Sequence, residues 1–219
     1  MARKPADQSV SREAIIWAAA EVLRRSGYEA ATMKDIAAAV NLTAASLYHH
    51  FRNKDALMLA VLEAGLDIVM QQVEPIAYDS ALNADAKLRT MIAAHIGALT
   101  QNTAVAAAMV FEIRTLMSVR IPQVVAVNGN GRHGDESDFM ARRDAFFARR
   151  AQFERLFSHV IREGIDRRIF RPVDVPIFTK ALLGAHNWVG VWYKPEGRLD
   201  GAGIAERTAD YFLAALRPL

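Results

Sequence analysis

Between Thr43 and Lys54 the sequence gathers side chains suited to lying against a polyanion and reading what it carries. They are Ala44, Ala45, Ser46, Tyr48, His49 and, at the end, Lys54. Small residues let a helix come close to base edges. An alanine methyl meets a thymine methyl, a serine hydroxyl serves a base or a phosphate, and tyrosine, histidine and lysine reach phosphates. The chemistry expected here is recognition of double-stranded DNA. Bond-breaking chemistry has no comparable support. The chain contains no Gly-x-Ser-x-Gly elbow, P-loop, His-Glu-x-x-His or Glu-x-x-His pair, the patterns that hydrolases, nucleotide binders and helical metal sites require. It also has no cysteine, which excludes thiolate metal ligands and cysteine nucleophiles. No catalytic residue, metal or cofactor is expected. His95, Glu112 and His159 are the titratable residues that a helical bundle could bring together, and isolated histidines on such helices more often belong to the core.

The elements that must hold the DNA-reading residues are legible from caps and periodicity. Ser11 caps a first helix with Glu13 in its opening turn; Ile15, Ala19 and Val22 form its inner face, and Gly27 ends it as a left-handed cap. Thr32 and Asp35 make a capping box for a short second helix with Ile36, Ala37 and Val40 inward. Asn41 is suited to a left-handed turn. Thr43 caps a third helix with Leu47 and Phe51 inward, which leaves the residues named above outside. Helix, tight turn and helix within this length make a helix-turn-helix unit; the alternative is a plain helical hairpin with Tyr48 and Phe51 in its core. Asn53 caps a fourth helix that runs to Pro75. Arg3, Lys4 and Arg12 oppose only Asp7 and form a basic N-terminal arm.

Further helices are expected at 83–100, 103–117, 138–168, 174–193 and 201–216. Phe139, Phe146, Phe153 and Val160 form one buried stripe, and the segment from Val175 to Trp192 is apolar nearly all round. Residues 128–137 read as a mobile loop. Gly129 to Gly134 spells Gly-x-Gly-x-x-Gly, but no second strand follows, and Asp135, Glu136 and Asp138 would repel a pyrophosphate. The fold class is therefore all-α. A three-helix DNA-binding head is expected over 1–54, with a larger helical bundle over 55–219 behind it. Phe111, Arg114 and Met117 on one helix, and Asn187, Trp188 and Trp192 on another, are the candidate effector-binding residues. Arg142, Arg143, Arg149 and Arg150 could meet phosphates at a pocket mouth, and Gly184, Ala185 and Gly190 permit close helix approach in a dimer.

Bulk properties agree. The 219 residues carry 27 Lys and Arg against 24 Asp and Glu, so the net charge of +3 permits DNA binding without demanding it. The opening residues lack the apolar stretch of a signal peptide, and no unbroken apolar run reaches membrane-span length, so a cytoplasmic protein with no membrane partner is expected.

The run TMKDIAAAVNLTAASLYHHFRNKDALMLAVL, within Ala30 to Glu63, together with AAAEVLRRSGYEAAT in the first helix, resembles the TetR family of one-component regulators. That resemblance implies phosphate contacts from Thr32, Thr43, Tyr48 and Lys54. It also implies major-groove contacts from Ala44, Ala45, Ser46 and His49. Asn41 and Ala45 stand where the family often has glycine. The segment LLGAHNWVGVWYKPEGRL is similar to regulators of fatty-acid and steroid breakdown that answer to acyl-coenzyme A thioesters. The resemblance implies that the 55–219 bundle is the ligand-binding and dimerisation domain of a homodimeric repressor on an inverted-repeat operator, released by a small hydrophobic effector such as an acyl-CoA. The alternative is a helical small-molecule-binding protein or enzyme carrying a vestigial DNA-binding head.

Overall fold

A computed structural model of the chain describes residues 10–118 and 133–218, and for 133–136 the backbone alone. Among the described residues there are nine helices and no strand: α1 (Arg12–Ala30), α2 (Met33–Ala39), α3 (Ala44–His50), α4 (Lys54–Ala77), α5 (Ala84–Gln101), α6 (Thr103–Ser118), α7 (His133–Asp166), α8 (Val175–Trp192) and α9 (Gly201–Leu216). The basic-arm residues Arg3 and Lys4 lie outside the described residues, as does the first half, 128–132, of the loop expected at 128–137. Residues 133–137 belong to the first turns of α7.

The caps explain where the head helices begin. The hydroxyls of Ser11, Thr32 and Thr43 and the amide oxygen of Asn53 each accept an otherwise orphaned backbone N–H three residues on, from Ala14, Asp35, Ser46 and Ala56. Asp35 accepts in return from the Thr32 backbone N–H, which completes the capping box. Asn41 takes the expected left-handed turn, with φ 56°. Gly27 differs from expectation. Its φ of 70° is positive, but its ψ of 167° is extended, a conformation essentially reserved for glycine. It breaks α1 rather than ending it, and one more turn follows to Ala30. Pro75 does not stop α4 either. The helix carries on to Ala77, because Val73 and Ala77 are both fully buried and their packing outweighs one lost backbone hydrogen bond.

Behind the head, α4 to α9 enclose a continuous core that includes Leu66, Met91, Ile92, Phe157, Leu182 and Leu213. By length and composition α4 could cross a membrane, but 61% of its apolar window is buried inside the protein, as befits a core helix. Two glycines let helices touch. A methyl on Gly65 would lie 2.5 Å from the Val105 side chain, and one on Gly190 2.6 Å from Ala106 Cβ, so α4 and α8 both close directly on α6. Gly190, expected at the dimer face, is thus an internal contact.

The helices α5 and α7 are tied by Lys87 Nζ, which donates to Glu163 Oε2 at 2.8 Å in a nearly dry setting. The hydrogen bond from Lys87, outweighing burial, holds the Glu163 carboxyl below its usual range. The pair therefore stabilises the fold above the unfolded carboxyl value and loses its contribution as pH falls through the folded one. Removing one member strands the other. Lys87→Met is expected to cost about 3 kcal/mol, the low end for a broken buried pair, because Arg167 remains 3.2 Å from Glu163. Urea midpoints for variant and wild type at neutral pH check this; an unchanged midpoint would remove the pair from the stability account.

Candidate DNA interface and effector cavity

The third helix does present the predicted face. Leu47 is fully buried and Phe51 nearly so, which anchors α3 on the head core. Ala45, Tyr48 and His49 are exposed together, with Ala44 and Ser46 half-buried beside them. Tyr48 is 53% exposed. Thr32 and Thr43 sit exposed at the starts of α2 and α3, and both hydroxyls already serve as caps; the Thr43 hydroxyl also lies 2.9 Å from that of Ser46. At the head core, Arg12 lies over the Phe51 ring, 4.6 Å from its centroid.

Lys54 is engaged within the head. Its ammonium donates to the backbone carbonyls of Tyr28 (2.7 Å), Ala31 (3.0 Å) and Glu29 (3.4 Å), and lies 4.1 Å from the centre of the Tyr28 ring. An ammonium has three N–H donors, and all are spent on the segment formed by the last turn of α1 and Ala31. Lys54 is a clasp on that segment, a different use from the phosphate contact the resemblance implies. The Tyr28 hydroxyl completes the clasp by donating to Asp55. Burial first, then that hydrogen bond, pushes the Tyr28 hydroxyl pKa well above its usual value.

Between α4, α5, α6, α7 and α8 lies a cavity of about 320 Å³. Its walls are apolar, with Leu66, Val69, Leu99, Met109, Phe153 and Leu183 among them, and its polar lining includes His95, Asn102 and Asn187. Arg150, Glu154 and Lys180 stand together on the same rim, and Lys180 donates to Glu154 at 2.6 Å. Mostly apolar walls with a few polar handles are the usual form of a small-molecule site.

Of the six predicted effector residues, the structure brings only Asn187 to this cavity. Phe111, Arg114, Met117, Trp188 and Trp192 lie outside it and are exposed. The reason is rotation along the helix, about 100° per residue. On α6 the inward stripe is Val105, Ala106 and Met109, which turns Phe111 and Arg114 outward, while Met117 lies about two turns further along the helix, beyond the cavity; on α8 it is Leu183, Gly184 and Asn187, which turns Trp188 and Trp192 away. The arginines divide likewise. Arg142 pairs with Glu63, Arg149 with Asp67 and Arg143 with Asp144, whereas Arg150 borders the cavity. Several outward residues are large and apolar. Ile177, Trp188 and Trp192 on α8 and Tyr211 on α9 are between 49% and 71% exposed.

Sequence reasoning missed the most unusual polar group. His95 and His186 are both buried, and their Nδ1 atoms lie 3.2 Å apart. Burial lowers both pKa values, that of His95 to about 3, so both rings are neutral. A polar residue at a core position of the inner stripe Leu88, Met91, Ile92, His95 and Leu99 was the available signal. The trio suggested from sequence does not converge. Glu112 accepts from the Tyr28 backbone N–H and His159 stacks near Tyr78. No cluster of three or more His, Asp or Glu residues that could hold a metal occurs among the described residues.

An exposed, capped recognition helix in front of a bundle with a lined cavity defines a ligand-gated helix-turn-helix regulator. Residues 15–61 match the family described as bacterial regulatory proteins, tetR family, and residues 140–216 match the tetracyclin repressor-like C-terminal domain. The chain belongs to the TetR family. The HTH-type transcriptional repressor KstR2 of Mycolicibacterium smegmatis is 26% identical over 212 residues, which is 96% of this chain and 90% of that protein. The crystal structure of AibR in complex with isovaleryl coenzyme A and operator DNA superimposes with a TM-score of 0.70 at 26% identity, covering 94% of this chain and 98% of that one. The fold is shared as well with KstR2 of Mycobacterium tuberculosis, at a TM-score of 0.78, 23% identity and coverage of 99% and 100%.

Proposed function

We propose that the chain is a dimeric transcriptional repressor that leaves its operator when an acyl-coenzyme A thioester fills the α4–α8 cavity. The observation that carries this reading is the cavity itself: an apolar chamber whose rim holds Arg150 and Lys180. At about 320 Å³ it accommodates an acyl group but not a whole thioester. The nucleotide must therefore stay at the mouth, where basic side chains bind phosphate without full desolvation. The names of its relatives point the same way, since one is a repressor and another was crystallised with an acyl-CoA and operator DNA. Such a protein works wherever the DNA is, in the cytoplasm of a bacterial cell. The enzyme reading has no observation in its favour.

Ala45, Tyr48 and His49 read the major groove and its phosphates in this proposal, with Thr32, Thr43, Ala44 and Ser46 flanking them. A ligand that binds the released conformation better than the operator-bound one shifts the population, and the two affinities are reciprocally coupled. The deciding experiment titrates operator-bound protein with acyl-CoA thioesters of several chain lengths, the matched free acids and CoA alone. Release by a thioester, and not by its acid or by CoA, is expected. Failure of every thioester overturns the effector assignment.

The second copy covers the exposed α8–α9 face, and the operator is then an inverted repeat. A carboxylate at the centre of that face should split the pair. Trp188→Glu is expected to sediment as a monomer at micromolar concentration, and to bind operator at least tenfold more weakly because each half-site holds a single head. A Trp188→Glu protein that remains dimeric would place the interface elsewhere.

A further inference from the structure

We infer that His95 donates from Nε2 to the acyl oxygen of the bound effector, and that His186 is the positioning residue that makes it a donor. This rests on the acyl-CoA reading of the cavity and adds to it the group that recognises the carbonyl. His95 lines the cavity, and its Nε2 takes no hydrogen bond among the described residues. Its Nδ1 meets His186 Nδ1 at 3.2 Å. Phe153 packs edge-on against the His95 ring, centroids 5.0 Å apart, and Phe157 stands 6.1 Å away, so the ring cannot turn freely.

Two neutral imidazoles joined nitrogen to nitrogen share one proton between the facing atoms, so exactly one of them donates. Two arrangements satisfy that contact. In one, His95 donates to His186. His186 then carries its own proton on Nε2, a buried atom with no partner. In the other, His186 donates from Nδ1, and its unpartnered Nε2 is a bare acceptor. A buried N–H without an acceptor is the rarer and costlier defect; at His186 Nε2 nothing can relieve it, whereas the N–H on His95 borders the cavity, where water or ligand can accept it, so the second arrangement prevails. Its consequence falls on His95, whose Nδ1 now accepts and whose Nε2 must therefore carry the proton. The cavity gains one neutral donor set among apolar walls. Such a donor suits a carbonyl oxygen. A carboxylate would have to give up its hydration for a single uncharged hydrogen bond, which disfavours the free acid. The neutral state of both rings, enforced by burial, keeps the arrangement intact across ordinary pH.

The test compares isovaleryl-CoA with 3-methylbutyl-CoA, the thioether in which a methylene replaces the carbonyl, by calorimetry on the full-length DNA-free protein. Wild type is expected to bind the thioester about tenfold more tightly, the worth of one neutral hydrogen bond. His95→Phe should bind the two alike, and His95→Gln, which keeps a donor, should recover part of the preference. His186→Phe should reduce the preference without touching the ligand. Nitrogen-15 spectra of the wild-type imidazoles give a readout that needs no variant to fold: His95 should be protonated at Nε2 and His186 at Nδ1. Equal binding of the two probes by wild type, or a preference that survives His95→Phe, overturns the His95 assignment while leaving the acyl-CoA reading in place. The reverse tautomer pair overturns it too. Binding of neither probe, nor of any other thioester, overturns both.

Discussion

Replacing Lys54 by methionine is expected to destabilise the head by about 3 kcal/mol and to leave the salt dependence of nonspecific DNA binding nearly unchanged. The ammonium is half-buried and is the shared donor for the carbonyls of Tyr28, Glu29 and Ala31. Hydrogen bonds to a charged donor are worth about 1.5–3 kcal/mol each, but they are not additive here, and the freed carbonyls can recover some water. Methionine keeps much of the aliphatic stem over the Tyr28 ring, so the loss isolates the hydrogen bonds and the cation–π contact. Phosphate ligation makes the opposite forecast: unaltered stability and a salt slope lower by about one contact. Thermal melts, with hydrogen exchange on α1 and α2, read the first quantity; binding to a random duplex at several salt concentrations reads the second. A melting curve identical to wild type, paired with a shallower slope, would return Lys54 to the DNA backbone.

The Lys54 contacts show what the sequence carried and what it withheld. Caps and periodicity are local, and they placed the helices well. Thr32, Thr43 and Asn53 each begin the helix they were expected to begin, and the buried Leu47 and Phe51 give α3 its outward face. Gly27 and Pro75 misled because their effects depend on neighbours. Glycine admits an extended conformation as readily as a left-handed one, and core packing at Val73 and Ala77 carries α4 past its proline. The effector residues were harder still. Residue type identified α6 and α8 as pocket helices, but Trp188 and Asn187 differ by one position, and one position is about 100° of rotation. Tertiary crossings, those at Gly65 and Gly190 among them, fix which side of each helix faces the cavity, and they join residues far apart in the chain. The His95–His186 contact, 91 residues apart, was invisible for the same reason.

Glu112→Ala is expected to leave effector binding to DNA-free protein within about threefold of wild type while cutting the mutual exclusion of effector and operator at least tenfold. Glu112 sits on α6 one turn beyond Met109, which lines the cavity, and its Oε1 accepts the Tyr28 backbone N–H at 3.1 Å. Tyr28 belongs to the segment that Lys54 clasps, next to the start of α2. One buried carboxyl thus joins the cavity wall to the part of the head that sets the angle of α2 and α3. A ligand that displaces α6 pulls on that joint, and without it the head keeps its operator-bound position. Coupling free energies of about 1–3 kcal/mol are typical, and loss of 1.4 kcal/mol is a factor of about ten. Burial raises the Glu112 carboxyl pKa, with the Tyr28 N–H opposing it, so the charge itself is a burden there. Glu112→Gln keeps an oxygen for the Tyr28 N–H and removes the burden. It should therefore preserve coupling at equal or greater stability, where a role resting on charge would predict its loss. The measurement is effector affinity with and without operator for wild type, Glu112→Ala and Glu112→Gln. Full coupling in Glu112→Ala would mean that ligand and head communicate through α4 packing instead.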